Sequence, residues 1–184
     1  MSWIPYLIAL FVTAALQQGL APLWTFGGVR PDLLVVLAML ASLRAKTGAR
    51  AALACWVAGL MVDLTTATGP AGPTVVGPMS IGYVLGGTLV FRVRELFFSE
   101  HTLAQAFLAG VFCVIAHSVW IVAQMMLGPM SAGVGDFTRA MGRMLSISLA
   151  TAGVAFILSI PLRHAGGLIG LPAPRAARRR GRRV

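Results

Sequence analysis

The chain has little of what makes proteins soluble or enzymes reactive. Only 11% of its 184 residues are charged and only five are acidic, whereas a soluble domain carries about a quarter charged residues. So few carboxylates leave little for paired acid–base work or a metal cluster. The three histidines stand apart, and no G-x-S-x-G, H-E-x-x-H or P-loop pattern occurs, so no motif-bearing hydrolase, zinc protease or nucleotide-binding class is indicated. Cys55 and Cys113 lie inside apolar runs without a C-x-x-C neighbour, which points to two small buried hydrophobes rather than a redox or metal site. These absences predict a chain that is no enzyme and carries no cofactor or metal.

What fills the chain is apolar: 58% of residues are hydrophobic. Six long stretches run roughly from Trp3 to Ala21, Asp32 to Leu43, Ala51 to Val62, Thr74 to Phe91, Leu103 to Leu127 and Met144 to Leu162. Read as membrane spans, they predict an all-α, six-transmembrane-helix bundle over residues 1–165 and leave no room for an extramembrane domain. The first stretch has no basic n-region and exceeds a typical signal-peptide core, so it reads as a retained span. Asp32 to Leu43 is short, about 18 Å against roughly 30 Å of hydrocarbon. A re-entrant hairpin over residues 32–62 would carry Arg44, Lys46 and Arg50 toward the bilayer centre at about 2.5–3.5 kcal/mol each. Two full crossings are cheaper, with tilt, thinning and snorkelling making up the length.

The basic residues orient the bundle. Arg44, Lys46, Arg50, Arg92, Arg94 and seven arginines from Arg163 onward fall on one side, with Arg30, Arg139 and Arg143 on the other. Twelve against three predicts a multi-pass membrane protein with both termini cytoplasmic. The net charge of +10 falls to +4 once the six tail arginines, Arg175, Arg178, Arg179, Arg180, Arg182 and Arg183, are set aside. No nucleic-acid partner is therefore needed. Residues 166–184 read as a basic, disordered cytoplasmic tail that attracts anionic lipid.

The connections carry more information than the spans. Pro31 suits a first helical turn, where its missing N–H costs nothing, and the Asp32 carboxylate faces the positive end of the second helix. Gly59 and Asp63 lie four apart on one face of the third. Asp63 sits at the wrong end of its own helix dipole and so calls for a partner, Arg30 being one candidate and solvation in the headgroup layer the other. Gly69–Pro73 is a tight turn. Pro78 bends the entry of the fourth helix, where Gly82 and Gly86, with Gly87 beside them, make a face for close backbone approach, inside the bundle or against another protein. Phe91 to Phe98 is basic and aromatic, an interfacial segment or an anchored loop. His117, deep in the fifth span, is a functional candidate by position. A neutral imidazole bonded to a neighbouring helix explains it as well, and Gln17, Gln18, Gln105 and Gln124 are available partners.

Pro31-Asp32-Leu33-Leu34, Gly59-x-x-x-Asp63-Leu64, a Gly/Pro turn, Gly82-Tyr83-x-x-Gly86 and Arg92-x-Arg94 leading into Phe97-Phe98 and Glu100 together resemble the bacterial rod shape-determining protein MreD family over about residues 30–105. Each motif alone is weak, and their order and spacing carry the resemblance. It implies a fold similar to the substrate-binding membrane subunits of energy-coupling-factor transporters. The function implied is that of a non-catalytic inner-membrane scaffold of the elongation (rod-shape) machinery for peptidoglycan synthesis. Its implied partners are an MreC-like bitopic protein, an MreB-like filament and a RodA/penicillin-binding synthase pair. The Arg175–Arg183 tail falls outside the family pattern. Two other classes compete: a solute-binding subunit of a vitamin-type transporter, with a cavity built from Asp32, Asp63, Tyr83 and His117, and a membrane enzyme of lipid-linked precursors using Arg139 and Arg143.

Overall fold

The computed structural model describes residues 2–19, 23, 29–66, 77–94, 101–127 and 134–165, and among these it is all-helical. Six helices follow one another: α1 (Trp3–Gly19), α2 (Leu33–Arg44), α3 (Gly48–Thr66), α4 (Pro78–Val93), α5 (Thr102–Leu127) and α6 (Val134–Ala165). Three of them, α3, α5 and α6, are long and apolar enough to cross a membrane, and α1, α2 and α4 are shorter apolar helices.

Several helix boundaries differ from the sequence expectation. The third stretch gains length at both ends, and at the first of them Thr47 starts α3 by accepting the Ala51 N–H at its carbonyl (3.1 Å) and the Arg50 N–H at its hydroxyl (3.4 Å). The sixth begins ten residues before Met144, so Arg139 and Arg143 belong to the opening turns of α6 rather than to a connection. Pro31 lies just outside α2, since Asp32 is its N-cap, with extended backbone angles. Pro78 is the first residue of α4, where its missing N–H costs nothing. It follows Gly77, whose φ of 121° suits a residue without a Cβ.

Contacts along the chain run antiparallel. Cys55, Gly59 and Asp63 of α3 meet Gly87, Ser80 and Met79 of α4; Gly82 and Gly86 meet Ala116 and Phe112 of α5; Cys113 and Ser118 of α5 meet Thr151 and Met144 of α6. The start of α2, the end of α3 and the start of α4 therefore share one end of the bundle with Arg30, Arg139 and Arg143. Arg44, Lys46, Arg50, Arg92 and Arg94 gather at the opposite end, where Arg94 touches the α2–α3 turn and Phe91 packs near Gly48.

The short α2 is the centre of the bundle. It packs against all five other helices, and every residue from Leu34 to Ser42 is buried. A helix apolar on all sides is one that neighbours surround. That is the reason for its length. An end enclosed by protein has no need to reach the membrane surface, provided its backbone groups find partners, so tilt and thinning are not required for α2. Polarity is also inverted relative to a soluble bundle. Asp32, Asp63, Thr151 and Ser159 are buried, while Ile4, Phe11, Leu103, Met126, Leu149 and Ile157 stand more than half exposed. Apolar surface on this scale marks contact with lipid or other protein.

Candidate functional site

Two carboxylates organise the shared end of α2, α3 and α4. The Asp32 Oδ1 atom accepts the N–H groups of Leu34 (3.0 Å) and Val35 (3.2 Å) in its own helix. Its Oδ2 accepts the Tyr83 hydroxyl of α4 at 2.7 Å, and its backbone N–H donates to Thr151 Oγ1 of α6 at 2.9 Å. The Leu34 N–H also reaches Gln17 Oε1 of α1 at 3.2 Å. The Tyr83 ring stands edge-on to Phe112 of α5, centroids 5.3 Å apart. The first turn of the central helix is thus tied to α1, α4 and α6. Leaving a buried donor unpaired there would cost about 1–3 kcal/mol.

Asp63 does for α4 what Gly77 cannot do. Gly77 offers no capping side chain, and the first N–H groups of a helix need acceptors. Pro78 has none to satisfy; Met79 and Ser80 donate theirs to Asp63 Oδ1 (3.3 Å) and Oδ2 (3.0 Å), and Ile81 donates to the Gly77 carbonyl (3.2 Å). The Ser80 hydroxyl adds a 2.8 Å bond to Oδ2. The carboxylate sits unfavourably on its own dipole and favourably on that of α4. Arg30 is not its partner. The Arg30 Nη2 donates to the Gln17 carbonyl (2.9 Å) and to Gln18 Oε1 (3.3 Å) in α1.

The glycines permit this closeness. A Cβ at Gly59 would lie 2.6 Å from the Ser80 Cα, and one at Gly82 2.7 Å from the Ala116 carbonyl oxygen. At Gly86 it would meet the Phe112 ring at 3.1 Å, and at Gly87 it would overlap the Cys55 sulfur. The Gly82–Gly86 face therefore receives α5, an internal contact, and Gly87 receives α3.

At the opposite end Arg94, buried at the close of α4, donates from Nη1 to the carbonyls of Ala45 (2.6 Å) and Leu43 (3.4 Å). A cation there complements the negative end of α2. Its guanidinium also lies 3.9 Å from the Phe91 ring centroid. Arg92 is exposed on α4. Leu96, Phe97, Phe98, Glu100, the Gly69–Pro73 turn and the Arg175–Arg183 tail lie outside the described residues.

His117 is bonded within its own helix, Nδ1 lying 3.0 Å from the Cys113 carbonyl and 3.4 Å from the Cys113 sulfur, not across to a neighbour. Of the four residues of the transporter-type cavity, Asp32, Tyr83 and His117 are linked through Thr151 and the Cys113 sulfur, whereas Asp63 caps α4. Thr151 and Ser80 hold the site together and were not singled out from sequence, and Gln17, expected as an available partner for His117, accepts from the Leu34 N–H instead. Thr151 bonds 119 positions from Asp32, and nothing local marks it. Neither a protein-family model, nor a curated protein, nor a solved structure matches the chain.

Proposed function

We propose that the chain is a multi-pass protein of the bacterial cytoplasmic membrane, with six crossings and both ends cytoplasmic. On this reading it acts as a non-catalytic scaffold of the MreD type in the rod-shape elongation machinery. The observation that supports this reading is that the described residues bearing the resemblance make contacts between helices α2 to α5, at both ends of the bundle, and do not line an open site. Asp32 bonds Tyr83, Gly59 and Asp63 receive the start of α4, Gly82 and Gly86 receive α5, and Arg94 closes the end of α2. They behave as one structural unit that sets the shape of α2–α4 and leaves an apolar perimeter for lateral contact. The separation of basic residues between the two ends of the bundle favours the stated orientation. At about 25 Å, α1 and α4 can cross with modest thinning of the bilayer.

The partners on this reading are an MreC-like bitopic protein, a RodA/penicillin-binding synthase pair and, at the cytoplasmic face, an MreB-like filament. The vitamin-transporter reading is weakened because Asp32 and Tyr83 bond each other and His117 bonds its own helix. Purification from native membranes, with identification of bound proteins and small molecules, tests the assignment. An MreC-like protein retained with the chain supports it. A stoichiometric vitamin without such a protein contradicts it.

A further inference from the structure

An arginine with no carboxylate partner among the described residues stands where the ring of helices around α2 is open. The backbones of the neighbouring pairs α1–α3, α3–α4, α4–α5 and α5–α6 approach within 8 Å, whereas those of α1 and α6 do not. At one end this seam is bridged by residues 30–34, through Leu34 to Gln17 of α1 and through Asp32 to Thr151 of α6. Arg30 lies in the bridge. Its Nη2 is bonded to Gln17 and Gln18, its Nε is shut from solvent without an acceptor, and no carboxylate pairs with it among the described residues. A guanidinium is a planar fork of five donors suited to carboxylate or phosphate, and a partly buried charge is normally matched by an opposite one.

The other flank of the seam supplies a second cation and an apolar wall. Arg143 is exposed and begins the i, i+4 row that continues through Ile147 to Thr151, the residue bonded to the bridge. Along the same flank of α6 follow Val154 and Ile157, half-buried and exposed. Cations at the mouth of the seam and apolar side chains below it match an amphiphile with a phosphate head. An acidic peptide would leave the apolar wall uncovered. We propose that the α1–α6 seam binds a phospholipid, with its phosphate on Arg30 and Arg143 and an acyl chain along the α6 flank. This rests on the membrane-spanning reading and not on the identity of the protein partners.

Titration of the detergent-solubilised full chain with dioctanoyl phosphatidylglycerol, read by thermal shift and native mass spectrometry, tests it. Dioctanoylglycerol and inorganic phosphate serve as the separated halves of the ligand. The lipid should raise the melting temperature saturably and neither half should do so alone. Arg30→Gln should weaken binding by about tenfold or more and Arg143→Gln by about threefold, while Arg50→Gln, at the opposite end, leaves it unchanged. Wild-type affinity in both Arg30→Gln and Arg143→Gln overturns the site, as does inorganic phosphate binding as tightly as the lipid. If Arg30→Gln does not fold, Arg143→Gln and a bulky Ala150→Trp, at a half-buried position of α6 next to Thr151, decide, and wild-type lipid affinity in both overturns the site. Loss of a co-purifying protein in Arg30→Gln with lipid affinity intact would assign the anion to a partner's carboxylate and refute the lipid. A wild-type chain found in the soluble fraction sinks the membrane reading itself, whereas a membrane-bound chain blind to the lipid sinks this inference alone.

Discussion

The Tyr83 hydroxyl donates to Asp32 Oδ2 at 2.7 Å across a sequence separation of 51 residues, while Oδ1 of the same carboxylate caps α2. One side chain thus starts the central helix and locks it to α4. Both ring and carboxylate are buried, so neither end of the bond can turn to water when its partner is removed.

Tyr83→Phe keeps the edge-on ring contact with Phe112 and deletes only the donor. It should cost about 1–3 kcal/mol, the usual range for a buried acceptor left unpaired, visible as a lower melting temperature in detergent. Asp32→Asn in the Tyr83→Phe background should add less than it does alone, because the bond is already gone. Full additivity would contradict the pairing.

The glycines separate into two groups. Gly59→Ala and Gly82→Ala place a Cβ under 3 Å from a facing helix backbone, and overpacking of that kind costs about 1–3 kcal/mol. Gly142→Ala and Gly153→Ala meet nothing within 4 Å on α6. They should be neutral or stabilise by up to about 1 kcal/mol, the helix-propensity difference. Equal melting temperatures across the four variants would contradict the assigned interfaces.

Gly82 and Gly86 were legible from sequence as a close-approach face, because small residues one turn apart need only local spacing to be seen. Asp32 at the start of α2 was legible for the same local reason. Asp63 was only half legible. Its misfit with its own helix dipole correctly called for a partner, but the partner is the uncapped start of the next helix and not Arg30. The signal was present in Gly77-Pro78, a helix start without a capping side chain. The central place of α2 was not legible. A short run apolar on every side looks the same whether lipid or protein surrounds it, and its anchor on Thr151 comes from the far end of the chain.

That correction has a direct check. In a double-mutant cycle, Asp63→Asn and Arg30→Gln should be additive within about 0.3–0.5 kcal/mol, as for sites without shared partners. Asp63→Asn with Ser80→Ala should be non-additive, since the Ser80 hydroxyl bonds Oδ2 at 2.8 Å. Coupling between Arg30 and Asp63 would restore the ion pair.

At the opposite end, Arg94→Gln removes the charged donor from the carbonyls of Leu43 and Ala45. Charge-assisted hydrogen bonds are worth roughly 1.5–3 kcal/mol, so a drop in melting temperature comparable to that of Tyr83→Phe is expected. Arg92→Gln, on an exposed side chain, should change stability by less than about 0.5 kcal/mol. Equal effects from the two would contradict the buried role of Arg94.

The account stands on a chain that crosses the bilayer six times, with Lys46 at the cytoplasmic end and Thr138 at the outer end. Both side chains are exposed, and the native Cys55 and Cys113 are buried, so a membrane-impermeant thiol reagent reads introduced cysteines against a quiet background. Added to intact cells, the reagent should modify Thr138→Cys and leave Lys46→Cys untouched until the membrane is opened. Labelling of Lys46→Cys from outside, or protection of Thr138→Cys, would contradict the orientation and, with it, the cytoplasmic-membrane scaffold.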